Sequence, residues 1–415
     1  MPLSLRRFWR PPCFPKLSMN YRKLTLVLAA LAMLGPFATD AYLPSFHRIG
    51  VEFSVDQSMV QQTLSLYLFG FAFMSLFWGM LSDSFGRRPV ILASLILFLI
   101  GSVGSALAPS FSWLLFFRLI QGCSAGAGRV VGQALARDCV QGVQAQRLFA
   151  HITMVFSLAP ALAPVMGGYL SSYSGWRSVF WMLTVLSVGL IALCWRQLPE
   201  TLPVASRQPL KLWVILANYA RALSNGRFVL AISAIACAFG GFALYISSAA
   251  SFVIGVLGLT ETAFAWLFLP FIGGMLGGSI LNARFAEKLA PARMIRLGLS
   301  LMLAGATFNT VYNLLFQAEV PWAVMPIFVY AFGMSMALPG MTVVTLGTFP
   351  TMRGLASSVQ SAWQMLLFAT VSGVVAPLLF DSGLLLALGM LCAAALSAGF
   401  WWCSQFRSKS TEASA

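Results

Sequence analysis

Of the 11 Asp and Glu residues, Asp40 alone falls inside a long apolar run, in Thr39-Asp40-Ala41-Tyr42-Leu43-Pro44. The other acids lie in loops or at the ends of such runs. An ionised carboxylate in an apolar medium is costly, so an acid in this position is expected to face a cavity. The chemistry open to it is reversible protonation. A carboxyl resting at a helix end in the headgroup region also fits the sequence. Arg118 lies at a similar depth in another run when a rise of ~1.5 Å per residue is applied to both. The two could meet and alternate between an ion pair and a protonated acid, with burial and the guanidinium acting on the carboxyl in opposite senses. Snorkelling of Arg118 to the surface is the alternative.

Arg129 shares its run with Gln121 and Gln133, which lie on roughly one helical face. Such a stripe either lines a cavity or hydrogen-bonds neighbouring helices, and both readings stay open. Gly126 and Gly128 form a Gly-x-Gly with no strand before it, so close helix packing explains it better than a nucleotide site. In Ala159-Pro160-Ala161-Leu162-Ala163-Pro164-Val165-Met166-Gly167-Gly168, two prolines each remove a helical hydrogen bond and the glycines permit close contact. A kinked, tightly packed gate helix is expected, with Pro160, Pro164, Gly167 and Gly168 as its working residues. Tyr42, Tyr245, Trp266, Asn309, Tyr330, Trp363 and Gln364 are polar or aromatic within apolar runs. They are candidates for lining a substrate cavity, and each can equally be packing.

A short polar hinge, Gly79-Met80-Leu81-Ser82-Asp83-Ser84-Phe85-Gly86-Arg87-Arg88-Pro89-Val90, joins two apolar runs. Asp83 can pair with Arg87 and face the start of a later helix near Gly354 and Ser357, contacts that would hold one side of the molecule shut. An ordinary loop acid is the alternative. No Gly-x4-Gly-Lys-Ser/Thr pattern occurs, so ATP is not the expected energy source. His47 and His151 are the only histidines, and the 7 cysteines have no paired spacing. No disulfide, metal site, cofactor or enzymatic centre is expected.

The elements that must position these residues are membrane helices. The chain is 59% hydrophobic and 9% charged, with a mean hydropathy of +0.84, too little polar surface to coat a soluble fold. Twelve apolar runs of spanning length fall near 24–45, 60–82, 89–108, 112–136, 149–171, 178–197, 227–250, 262–283, 293–315, 322–346, 355–379 and 383–404. They are continuous rather than alternating, so helices are the spanning structure expected. The net charge of +15 could suggest nucleic acid. Apart from Arg48 and Arg177 on the other side, and Arg118 and Arg129 within a run, every Lys and Arg falls in the termini or the even-to-odd loops. That is a positive-inside signal, with attraction to anionic lipid as a side effect and no nucleic-acid partner implied.

Both termini are therefore expected in the cytoplasm. The expected organisation is a tail over 1–22, a six-helix bundle over 23–197, a linker over 198–226, a second bundle over 227–404 and a tail over 405–415. A fainter echo of the hinge, Asn282-Ala283-Arg284-Phe285-Ala286-Glu287-Lys288, falls at the equivalent place in the second half, as in an internal repeat with a site at the interface of the halves. The first run is too long for a cleaved signal, and Met19 offers a more ordinary start than Met1.

These motifs resemble the major facilitator superfamily. Residues 79–90 are similar to its first signature loop, and Arg118-Leu119-Ile120-Gln121-Gly122 to its fourth-helix motif. Ala163-Pro164-Val165-Met166-Gly167-Gly168 resembles the fifth-helix antiporter motif, with Ala163 in place of the usual Gly. Thr39-Asp40-Ala41-Tyr42-Leu43-Pro44, Gln62-Thr63-Leu64-Ser65-Leu66-Tyr67 and Ala136-Arg137-Asp138 are similar to the Bcr/CflA drug:proton antiporters. The resemblance implies an all-α membrane protein of twelve transmembrane helices in two six-helix bundles, monomeric, in the bacterial inner membrane. It implies proton-driven export of bicyclomycin, chloramphenicol-like compounds or small metabolites, with Asp40 as protonation site, Arg118 as its partner, and Asp83, Gly86, Arg87 and Arg88 as gate. A proton-coupled carrier for an amino acid or small peptide is the alternative within transport; a membrane sensor or enzyme would need a soluble domain or a cluster of His, Cys or paired acids.

Overall fold

The computed structural model describes residues 21–139, 142–207, 210, 212–260, 263–285, 288–349 and 352–413. The expected tail up to residue 20 lies outside them. In chain order the helices are α1 (Tyr21–Asp40), α2 (Phe46–Phe53), α3 (Gln57–Phe85), α4 (Arg87–Ala106), α5 (Phe111–Cys139), α6 (Gly142–Ser174), α7 (Arg177–Gln197), α8 (Leu212–Ser224), α9 (Gly226–Ser247), α10 (Ala265–Phe285), α11 (Pro291–Leu315), α12 (Met325–Gly347), α13 (Arg353–Thr370), α14 (Ala376–Leu379) and α15 (Gly383–Ala413). No strand occurs among the described residues. Among the described residues, ten helical segments are long and apolar enough to cross a membrane. The remaining two long helices, α5 and α6, have 29 and 33 residues, more than the ~20 that a bilayer requires.

Two segments are more helical than their composition suggests. The Pro- and charge-rich connection after α7 contains α8, whose Tyr219 hydroxyl donates to the Leu76 carbonyl of α3 at 2.6 Å. The stretch read as a C-terminal tail continues α15 to Ala413.

The first span breaks where its acid sits. α1 ends at Asp40, and a three-residue 3-10 turn, Leu43–Ser45, follows. Pro44 has no N–H to give the Asp40 carbonyl, so the α-helical ladder cannot pass this point. Asp40 is thus at a helix end, but one that is inside the protein: it is 5% exposed. That burial rules out the headgroup reading of Asp40.

Lipid is as apolar as a leucine core, so helices in a membrane associate through close packing, which small residues permit. A Cβ at Gly122 of α5 would lie 2.0 Å from the Tyr67 carbonyl oxygen of α3. In the second half, Gly274 and Gly278 of α10 bring that helix equally near the Phe328 and Phe332 carbonyls of α12, each 2.3 Å from a built Cβ.

The two halves meet at one end of the molecule through α3. Gln61 Nε2 donates to Ser372 Oγ at 2.9 Å, Gln62 Nε2 to the Gly373 carbonyl at 2.9 Å, and Ser65 Oγ to the Ala369 carbonyl at 2.8 Å. Gln57 Nε2 reaches Ser251 Oγ at 2.6 Å. The partners at 372 and 373 belong to a π-helical stretch, Val371–Val375, between α13 and α14. A widened turn of this kind leaves backbone carbonyls available to a neighbour.

Candidate functional site

A cavity of about 1150 Å³ lies between the halves, on the side away from that seal. It runs from Asp40 to the α3–α4 turn, where Asp83 and Arg87 line its mouth opposite Gly354 and Ser357 of α13. Its apolar walls include Phe71, Phe239, Phe242 and Phe368. Ala32, Gly35, Pro36, Thr39 and Asp40 line it from α1, the three-and-four spacing of a single helical face.

At the inner end, Asp40 Oδ1 accepts from Thr39 Oγ1 at 2.9 Å. The same hydroxyl lies 2.9 Å from the Pro36 carbonyl, and it has one hydrogen to share between them. Arg118 sits just behind, wholly buried. Its guanidinium lies over the rings of Tyr42 at 4.1 Å and Tyr67 at 4.4 Å, with Phe180 at 5.8 Å. Nη1 donates to the Ala38 carbonyl at 3.1 Å and to Gln121 Oε1, and Gln121 in turn donates to Ser102 Oγ at 2.8 Å. Nε and Nη2 of Arg118 have no hydrogen-bond partner among the described residues. Burying a guanidinium requires compensation, and two tyrosine faces supply it here as cation–π contacts. No ion pair joins Arg118 to Asp40 in this state: the arginine holds the backbone of α1 two residues before the acid. Snorkelling is ruled out by its burial.

The polar stripe of α5 divides. Eight residues turn a helix roughly 80° beyond two full turns, whereas four turn it about 40° beyond one. Gln121 therefore points away from the cavity into the Arg118–Ser102 network, while Arg129 and Gln133 line the cavity. Gln364 lines it from α13. The other residues read as cavity candidates are used elsewhere. Tyr42 is wholly buried beneath Arg118. Tyr245 accepts from Asn309 Nδ2 at 2.6 Å, both buried, and Tyr330 donates to the Ala238 carbonyl at 2.9 Å. Trp363 Nε1 donates to Ser233 Oγ at 3.2 Å, tying α13 to α9. Trp266 is 49% exposed on α10, outside the cavity lining. An aromatic or amide in an apolar helix finds an interhelical partner as readily as a cavity, which is why type alone did not separate them.

At the mouth, Gly86 adopts φ +103° between α3 and α4, a backbone region open to glycine. Arg87 pairs with Asp83 and with Asp138 Oδ2 at 3.2 Å. Asp83 remains 47% exposed; it lines the mouth with Gly354 and Ser357, but its ion pair is to Arg87 within its own half. Arg88 reaches the Trp195 carbonyl at the end of α7. Sequence reasoning missed Glu200, whose carboxylate accepts from the backbone N–H of Arg87 at 3.0 Å and of Arg88 at 3.3 Å. It caps the positive end of α4. No sequence signal marked it, because Glu200 binds backbone N–H groups more than a hundred residues away.

In α6, Pro160 lines the cavity, and Pro164, Gly167 and Gly168 are buried. No group of three or more His, Cys, Asp or Glu able to hold a metal occurs among the described residues.

Residues 28–372 match the family model described as Major Facilitator Superfamily. The chain is 31% identical over 376 residues to a bicyclomycin resistance protein homolog of Haemophilus influenzae, covering 88% of this chain and 92% of the relative. It is 27% identical over 347 residues to multidrug resistance protein D of Escherichia coli, covering 82% and 85% of the two. The inward open xylose transporter of Escherichia coli superposes with a TM-score of 0.71 at 17% identity, over 92% of this chain and 96% of that one. That last likeness concerns the fold alone, a bundle of spanning helices with a cavity between its halves. With the matched family model extending from α1 to the π-helical stretch after α13, the chain belongs to the major facilitator superfamily.

Proposed function

We propose that this transporter is a proton-coupled antiporter of the Bcr/CflA type, exporting small amphipathic compounds by alternating access across the bacterial inner membrane. The observation that carries the reading is the setting of Asp40. It is a buried acid on the wall of an otherwise largely apolar cavity, beside a guanidinium with two N–H-bearing atoms unused. The names of the relatives from Haemophilus influenzae and Escherichia coli support the class of cargo.

The side bearing the α3–α4 turn is taken as cytoplasmic, as the placement of Lys and Arg implies, with both termini there and the chain acting as a monomer in lipid. The cavity then opens inward. Cargo enters between the phenylalanines, and Asp40 gives its proton to cavity water. The carboxylate left behind is stabilised by turning toward Nη2 and Nε of Arg118, which draws the end of α1 against α5. The bundles over 23–197 and 227–404 then rock about the linker. The α3 seal opens, the mouth shuts around Asp83 and Arg87, cargo leaves, and Asp40 takes a proton from outside. Only a group neutral in one state and charged in the other can couple the two fluxes.

The test is proton efflux from acidified inverted membrane vesicles on adding amphipathic antibiotics, dyes and amino acids. Wild type should lose its pH gradient on adding a cargo, and Asp40→Asn should not. Compound-triggered proton loss that persists in Asp40→Asn would sink the assignment. A response to amino acids or peptides alone would move the protein to metabolite export.

A further inference from the structure

Helix α8, in the connection between the halves, turns an apolar side outward. At about 100° per residue, Trp213, Leu216, Ala217, Ala220, Leu223 and Ser224 fall within an arc of about 120°. All six are exposed, Trp213 at 84%. The opposite side is in use. Ala222 is wholly buried, in one apolar cluster with Phe228 and Ile232 of α9 and Ala356 and Val359 of α13. Tyr219 holds the Leu76 carbonyl of α3, and Asn218 and Tyr219 line the cavity.

These contacts fix the depth of α8. Leu76 comes about nine residues before the end of α3, roughly 13 Å inside it at ~1.5 Å per residue. Ile232 and Val359 are each about six residues, roughly 9 Å, into α9 and α13. All three helices belong to segments long and apolar enough to span a membrane. α8 therefore lies against the sides of three spanning helices rather than out beyond their ends. An outward face at that depth meets the boundary between headgroups and acyl chains, where a Trp-bearing amphipathic helix is stable. In water the same stripe would be an exposed apolar patch.

Charge selects the lipid. Arg221 is exposed at one edge of the apolar arc. The connection over 198–226 also carries Arg207 and Lys211 against a single acid, Glu200, which is engaged in capping α4. A positive edge on an interfacial helix attracts an anionic headgroup, and a guanidinium gives a phosphate two parallel donors. We propose that α8 is an interfacial helix seated in the leaflet at the α3–α4 end, with Trp213 and Leu216 among the acyl chains and Arg221 on the phosphate of an anionic phospholipid. One helix then separates the cavity from lipid while holding contacts to both halves. This goes beyond the antiport reading and needs neither a cargo nor a proton gradient.

The test is photo-crosslinking of the full-length transporter, with p-benzoylphenylalanine placed at position 213. The protein is put into nanodiscs of phosphatidylethanolamine with a minority of phosphatidylglycerol, both with the same acyl chains, then illuminated and analysed by mass spectrometry. Lipid adducts should form, with phosphatidylglycerol enriched over its share of the bilayer by about fivefold, the effect of one basic residue near a charged surface. Adding Arg221→Gln should return the adducts to the bulk ratio. The photo-reactive residue at position 216 should give the same result, which keeps the test open if position 213 folds poorly, and at position 218, on the cavity side, it should capture less lipid. Adducts to protein alone, no lipid adduct at 213 or 216, equal capture at 218, lipids taken at the bulk ratio with Arg221 in place, or an enrichment that survives Arg221→Gln would each overturn the proposal. Vesicles that show no antiport would leave this result standing, so the two readings fail separately.

Discussion

Gly167 of α6 packs directly on the backbone of Ala41, the residue after Asp40. A Cβ on Gly167 would lie 1.6 Å from the Ala41 carbonyl oxygen and 3.0 Å from its Cα. The break in the first span and the glycines of the fifth thus form one contact: α6 presses against the turn that carries the buried acid. Ala159, Ala163, Pro160 and Pro164 are buried on the same helix.

Because the obstructing atoms are backbone, neither helix can relieve a side chain at this position by changing rotamer. Gly167→Ala should therefore destabilise the protein by more than the ~1–3 kcal/mol typical of overpacking and should lower proton-coupled transport with it. Thermal unfolding in detergent checks the first, and the vesicle assay the second. A fully stable Gly167→Ala would mean that α6 does not approach α1 in this way.

The cage around Arg118 separates ring from hydroxyl. Tyr67→Phe keeps the face under the guanidinium and loses only the hydrogen bond from the hydroxyl to the Gly35 carbonyl at 3.2 Å, so about 1 kcal/mol is expected. Tyr67→Leu removes the face and should cost about 2 kcal/mol. Arg118→Lys should fall with Tyr67→Leu, since an ammonium cannot lie flat between two rings while donating to Ala38 and Gln121. Thermal stability ranks the three; equal effects of Phe and Leu at position 67 would remove cation–π contact as the explanation.

The α3 seal should be breakable only once per cycle. With Gln61 and Ser372 in hydrogen-bond contact, a short bis-methanethiosulfonate reagent should bridge the pair Gln61→Cys and Ser372→Cys, whose thiols would be held too far apart for a direct disulfide, and lock the halves at that end. Transport in vesicles should stop on cross-linking and return with reductant, while either single variant keeps working. Continued transport by the cross-linked protein would exclude rocking about this contact.

Glu200 stabilises α4 through its charge and its two backbone bonds. Glu200→Gln should lower stability by about 0.5–1 kcal/mol, with less effect at high salt, and Glu200→Ala by about 1–2 kcal/mol. Thermal unfolding at two salt concentrations checks both, and a salt-independent loss in Glu200→Gln would show that its charge is not what matters.

Much of this molecule follows from residue order alone. The lengths of the apolar runs set helical spans, because a backbone in lipid has to satisfy its own hydrogen bonds. The Lys and Arg distribution sets an expected sidedness. Asp40 and Arg118 stand out because a charge inside such a run is costly in any fold, and the hinge at 79–90 carries the pairing of Asp83 with Arg87 within four residues. What hydropathy reports is depth along a helix. Rotation about the axis is invisible to it, because a face turned to lipid and a face turned to a protein core are equally apolar. Only the packed structure decides that Gln121 braces Arg118 while Arg129 enters the cavity, that Tyr245 and Asn309 satisfy each other, and that Trp266 looks outward. The same holds for partners far apart in sequence: Glu200 on α4 and Tyr219 on Leu76 meet because the connection after α7 folds back on the first half, and the glutamines of α3 meet the π-helical turn because the two halves pack against each other.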